Sequence, residues 1–176
     1  MTPQMRRYLV IAAAAVIVLI GLVLVIRSCA VTPAAVKVSS GQVTSLGDVK
    51  WQVVSALKTK QISLSGQVVT AKGWYMVIDL YLDNTGRSDL TFDPSSLVLK
   101  DGKGVAYPAD RSATDKQIAQ LANSGVVSIF GAKLPAGQKK RFAGVFDIAE
   151  TATQLQLTIL GNKYGTNKDL VIALGF

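Results

Sequence analysis

The stretch Trp74-Tyr75-Met76-Val77-Ile78-Asp79-Leu80-Tyr81-Leu82-Asp83 decides the fold. Trp74, Met76, Ile78, Leu80 and Leu82 fall on one side of a two-residue period, and Tyr75, Val77, Asp79, Tyr81 and Asp83 on the other. Successive side chains of a strand point to opposite faces, so this alternation predicts a strand with one face in a core. A slip of one residue exposes the whole apolar set, which pins the register. Asn84-Thr85-Gly86 then reads as a turn, because Gly takes a positive φ at no steric cost.

Working outward, Val49, Trp51, Val53 and Leu57 are expected on one face of a preceding strand, with Lys50, Gln52 and Lys58 on the other. Ser65-Gly66 sits between short β-prone pieces in Ile62–Val69 and predicts a turn or hairpin. Further strands are expected at Leu97–Lys100, Val105–Tyr107, Val126–Phe130, Lys140–Ile148, Gln154–Leu160 and Leu170–Leu174. Asp101-Gly102-Lys103-Gly104 and Leu134-Pro135-Ala136-Gly137 supply turns between them. Thr114 to Ala122 breaks the pattern with a cap-like Thr and apolar Ile118, Leu121 and Ala122, so a short helix near 114–122 is expected. About 7–9 strands with turns every few residues define an all-β sandwich, and no crossover helices support a parallel α/β sheet.

The composition divides the same way. The chain has 176 residues, 49% of them hydrophobic, with no His, one Cys and a net charge of +8. Tyr8–Ile26 contains no charge and no Pro, and as a helix it spans roughly 28 Å, about one hydrocarbon thickness. Arg6 and Arg7 precede it and Arg27 closes it. It is longer than the apolar core of a cleaved signal, which predicts an uncleaved signal-anchor. The expected organisation is a short cytoplasmic tail at 1–7, a transmembrane helix at 8–27, a linker at 28–42 and the sandwich at 43–176. The positive-inside rule and the large following domain place the N-terminus in the cytoplasm and the C-terminal domain outside it. Ile26-Arg27-Ser28-Cys29 has the outline of a degraded lipobox, making Cys29 a candidate lipidation site, with an unmodified juxtamembrane thiol as the alternative.

The segment WYMVIDLYLDNTGRSDLTFDPSSLVLKDGKGVAYPAD, with Leu46-Gly47-Asp48-Val49-Lys50-Trp51 upstream, resembles the DUF4352 family of bacterial extracytoplasmic domains. Leu82-Asp83-Asn84, Phe92-Asp93-Pro94-Ser95-Ser96-Leu97 and Asp101-Gly102 through Tyr107 occupy the places of that family's motifs. Leu134-Pro135-Ala136-Gly137 and Gly144-Val145-Phe146-Asp147-Ile148 follow in the same order. The resemblance covers roughly Val43 to Leu160. It implies an immunoglobulin-like sandwich behind a membrane anchor or lipoprotein signal, and it brings no catalytic residues with it.

The functional signals are sparse. Without His, Ser-His-Asp chemistry is excluded, and a lone Cys removes an internal disulfide and thiol zinc sites. No catalytic, cofactor or metal residues are assigned, and the domain is expected not to be an enzyme. Asp83, Asn84, Asp89 and Asp93 offer oxygen ligands for calcium, but their spacing matches no calcium loop and Asp and Asn are common turn formers. From Ser28 onward, 16 basic residues oppose 11 acidic ones, and Lys139-Lys140-Arg141 opens a strand. That triplet and the pair Tyr75 and Tyr81 form a candidate binding surface for a protein or an anionic lipid or envelope polymer. The alternatives are that Lys guards a sheet edge and that the Tyr side chains pack across strands. Nucleic acid is not an expected partner, since no aromatics interleave with the basic residues. The expected role is a membrane-anchored binding or structural module of the bacterial envelope, or an accessory subunit of a larger membrane complex, with an envelope hydrolase working without His as the third reading.

Overall fold

A computed structural model describes residues 35–64, 66–121 and 124–176. The expectations for the tail, the transmembrane helix, Cys29 and the first part of the linker, 28–34, lie outside these residues. Among the described residues no helix is long and apolar enough to cross a membrane. In chain order the strands are β1 Val36–Ser39, β2 Thr44–Leu46, β3 Val49–Leu64, β4 Gln67–Asn84, β5 Leu90–Thr91 and β6 Leu97–Lys100. Then come β7 Ala106–Tyr107, helix α1 Arg111–Gln120, β8 Val126–Ser128, β9 Lys133–Leu134, β10 Lys139–Ile148, β11 Gln156–Ile159 and β12 Leu170–Ala173. Seven strands have four residues or more. The other five are too short to carry a legible period.

One sheet runs β2-β3-β4-β10-β8 and the other β1-β12-β11-β6-β7, with β5 and β9 paired separately. The deciding stretch lies at the centre of the first sheet as the end of β4. Met76, Ile78, Leu80 and Leu82 are buried, and they meet Leu97, Leu99, Leu157, Ile159, Leu170 and Ile172 of the facing sheet. Burying each such side chain contributes roughly 1.5–3 kcal/mol. At one end of the core, the Trp51 ring meets Tyr164 edge-on at 5.0 Å between centroids, and Phe92 stacks on Phe142 at 5.7 Å. This is an immunoglobulin-like β-sandwich.

Four expectations change in detail. Leu57 does not share a face with Val49, Trp51 and Val53; it is 59% exposed, whereas those three are buried. The register of β3 against β4 shifts between Val53 and Ser55, and the extra residue of this β-bulge reverses the alternation beyond it. The end of the expected linker is strand β1, paired in parallel with β12 so that Val36 lies beside Leu170. Its partner comes from the far end of the chain, so no local period announces it. The helix begins at Arg111, with Asp110 as its cap; the Asp110 carboxylate accepts the Ala113 N–H at 2.9 Å. Thr114 is instead buried inside the helix, donating to the Asp110 carbonyl and accepting the Val145 N–H at 3.0 Å. The strand expected at Val126–Phe130 ends at Ser128 and runs parallel to β10.

Candidate binding surface

The outer face of the β2-β3-β4-β10-β8 sheet is divided by α1. Under the helix, Tyr75 and Val77 of β4 pack with Ile62, Ala71, Ala113 and Val145 in a second apolar cluster. Tyr75 is therefore buried and does not belong to an exposed recognition surface. Its hydroxyl pKa is raised, first by burial and then by the nearby Asp110 and Asp147 carboxylates. The sequence shows the alternation of Tyr75 with Tyr81 but not the helix that covers only one of them.

Beyond the helix the face is open. Tyr81 lies between Gln52 of β3 and Arg141 of β10, and Asp83 lies between Lys50 and Lys139 in the next row. The Lys139 ammonium sits 4.4 Å from the Tyr81 ring centroid, a cation–π contact. Lys50, Gln52, Tyr81, Asp83 and Lys139 enclose a small cavity of about 30 Å³ with Val43 and Trp51. Arg141 reaches diagonally to Asp79, which also accepts the Ser55 hydroxyl at 3.0 Å. Asp79 is 8% exposed, and the contact uses one arm of the guanidinium, leaving Asp79 Oδ1 and Arg141 Nε buried without a hydrogen-bond partner. Tyr81, Lys139 and Arg141 thus lie together on this face. Lys140 points to the opposite side of β10, where its Nζ lies 3.5 Å from the Lys133 carbonyl.

Lys50 and Gln52 join this surface, as their place on the polar side of β3 allows. Ser55 reaches it only because of the bulge, and no sequence signal marks its link to Asp79.

Of the four candidate oxygen ligands, Asp83 stays on the open face of β4, and the other three are used in turn contacts. Asn84 is buried, donating to the Ser88 and Leu134 carbonyls and accepting the Gly86 N–H. Asp89 accepts the Ala136 N–H at 3.1 Å. Asp93 caps the turn Pro94–Ser96 and pairs with Lys163 at 3.1 Å. The hydrogen bonds from Ser95 and Lys163 lower the Asp93 pKa. Among the described residues no three His, Cys, Asp or Glu side chains are grouped to hold a metal ion.

The larger depressions include two lined by polar and aromatic groups. One of about 510 Å³ at the end of the sandwich is lined by Asp48, Asn84, Thr85, Arg87, Lys163 and Tyr164, among others. A more apolar one of about 300 Å³ lies where the chain leaves β7 at Pro108 and Ala109 to join the other sheet, with Leu97, Tyr107 and Phe130 around it. Neither holds a nucleophile paired with a base.

These features define a β-sandwich module with an open sheet face and no assembled catalytic constellation among the described residues. The chain belongs to the DUF4352 family, a domain of unknown function, whose model matches residues 38–169. Solved structures share the fold. The yjhA protein from Bacillus subtilis is 12% identical, with a TM-score of 0.56 over 77% of this chain and 98% of its own. A conserved hypothetical protein from Bacillus anthracis is 16% identical, with a TM-score of 0.55 over 72% of this chain and 91% of its own. MPT63, a secreted protein from Mycobacterium tuberculosis, is 14% identical, with a TM-score of 0.54 over 81% of this chain and 99% of its own. No curated protein matches the chain.

Proposed function

We propose that this protein is a membrane-anchored, extracytoplasmic binding module of the bacterial cell envelope. The observation that carries the reading is the uncharged run Tyr8–Ile26, placed shortly before a DUF4352 sandwich. That run has the length and composition of a single membrane span, and the arginines around it favour an N-terminus in the cytoplasm. The secreted nature of one fold relative agrees with a domain outside the cytoplasm. Binding, rather than catalysis, is assigned to the open face around Tyr81, Lys139 and Arg141, where a cation-bearing aromatic is displayed on a rigid sheet. Chemistry by imidazole is excluded by composition.

The test uses the full-length protein in intact cells and isolated membranes. It should resist carbonate extraction, and Cys29 should react with a membrane-impermeant thiol reagent unless a lipid occupies it, which mass spectrometry reads directly. Release by carbonate, or an unlipidated Cys29 that reacts only after lysis, overturns the reading. Crosslinking followed by pull-down, with Tyr81→Ala/Lys139→Ala as control, then identifies what the open face holds.

A further inference from the structure

The segment that runs from β9 through the Pro135–Gly137 turn into the start of β10 carries charge of one sign only. Between Asp115 and Asp147 the chain contains no acidic residue, while Lys116, Lys133, Lys139, Lys140 and Arg141 are basic. Arg141 is paired with Asp79, but Lys133, Lys139 and Lys140 have no carboxylate within 4.0 Å among the described residues, and neither has nearby Arg87. The turn between β9 and β10 is held firmly. Asn84 donates to the Leu134 carbonyl and exchanges backbone hydrogen bonds with Gly137 and Gln138, while Asp89 accepts from Ala136. These cations are therefore presented on a fixed rim. Asp48, Asp83 and Asp89 lie among them and offset part of the charge; with Lys50 opposite Asp83, the rim keeps a positive excess.

The rim lies at the end of the sandwich where the chain comes in from its N-terminal segment. Val36 donates to the Asp169 carbonyl, the Asp169 carboxylate accepts from Gly161, and the turn Gly161–Tyr164 borders the same depression as Asn84 and Arg87. Eight residues lie between Arg27 and Val36, a reach of at most ~32 Å. A connection of this length lets the rim reach a membrane holding Tyr8–Ile26, and since charges act over about 8 Å at physiological salt, the attraction requires the rim to touch that surface.

We propose that the rim of Lys133, Lys139, Lys140 and Arg87 docks on anionic lipid headgroups of the membrane that holds the anchor. The interaction is electrostatic and local, and rests on the anchoring proposed above. Basic residues near a membrane segment are attracted to an anionic surface, and the attraction is screened by salt. Docking in this way fixes which end of the sandwich faces the lipid and leaves the opposite end, with Lys100 and Lys103, directed away.

The full-length protein should be reconstituted into nanodiscs of phosphatidylcholine alone and of phosphatidylcholine with phosphatidylglycerol. Labelling with an amine-reactive reagent, quantified by mass spectrometry, reads each lysine. Labelling of Lys133, Lys139 and Lys140 is expected to slow at least threefold in the anionic discs, with Lys100 and Lys103 unchanged, and 1 M salt should remove the difference. Equal labelling in both lipids with the protein incorporated overturns the docking alone. Protection that is independent of lipid charge points to a second copy of the chain and also overturns it. Failure to enter the discs overturns the anchor, and the docking falls with it.

Discussion

Arg141 of β10 crosses its sheet to meet Asp79 of β4, Nη2 to Oδ2 at 2.5 Å, and so neutralises a carboxylate that is almost fully buried on an outer sheet face. Ser55 binds the same oxygen from the other neighbouring strand. The three residues tie β3, β4 and β10 together beside the open half of the face. Charged groups out of water are stabilising only while paired, so the energetic weight of this contact lies in what is left when one partner is lost.

Arg141→Ala is accordingly expected to lower the unfolding free energy by about 2–3 kcal/mol, because Asp79 is left buried and unpaired. The double variant Asp79→Ala/Arg141→Ala should be more stable than Arg141→Ala. Urea denaturation of the series measures this. A strictly additive double-mutant cycle refutes the coupling.

The β-bulge at Val54 makes a sharper contrast between two aliphatic residues that the sequence places on one face. Val53→Ala should cost about 2 kcal/mol, since it opens a hole under a fully buried position. Leu57→Ala should stay within about 0.5 kcal/mol, as for other exposed sites. Thermal unfolding of both variants checks the register of β3 directly.

Tyr164 sets an alkaline limit on stability. Burial pushes its pKa up to about 12 from 10.0, opposed in part by the hydrogen bond with Ser96 and aided by the Asp93 charge. A raised tyrosine pKa favours the neutral form in the folded protein, so its contribution is complete below pH 10 and is lost as pH rises towards 12. Stability measured by denaturant titration should fall across this window. In Tyr164→Phe the fall should be shallower, at a cost near neutrality of about 1 kcal/mol for the lost hydrogen bond.

The boundary of α1 can be tested at its cap. Asp110→Ala should destabilise the protein by about 1 kcal/mol through the unpaired Ala113 N–H. Thr114→Val should cost about 1–3 kcal/mol, because it strands the buried Val145 N–H. If Thr114 were the cap, as its sequence position suggests, Asp110→Ala would have no effect on denaturant midpoints.

Most of the core was legible because alternation is a local property. The inward set of Trp74–Asp83 and the strict period of Leu157 and Ile159 hold in the sandwich. The candidate surface was legible only in part. Tyr81, Lys139 and Arg141 lie together on the open face, whereas Tyr75 is removed by a helix whose own sequence has almost no apolar stripe beyond Ala113. Lys140 faces away from its two neighbours for the same reason that any strand residue does, its odd step in a period of two.

By itself the sequence determined the sandwich class, the central strand and its register, and the exclusion of imidazole chemistry. Each of these depends on residue type and near spacing. Only the tertiary structure decided that Val36–Ser39 is a strand, that Leu57 turns outward, that Asp79 is buried under Arg141, and which half of the sheet is covered. Those outcomes depend on partners far away in the chain: β12 for the first, a register shift against β4 for the second, β10 for the third and α1 for the last. A two-residue period states which way a side chain points, and long-range packing decides whether anything lies there to meet it.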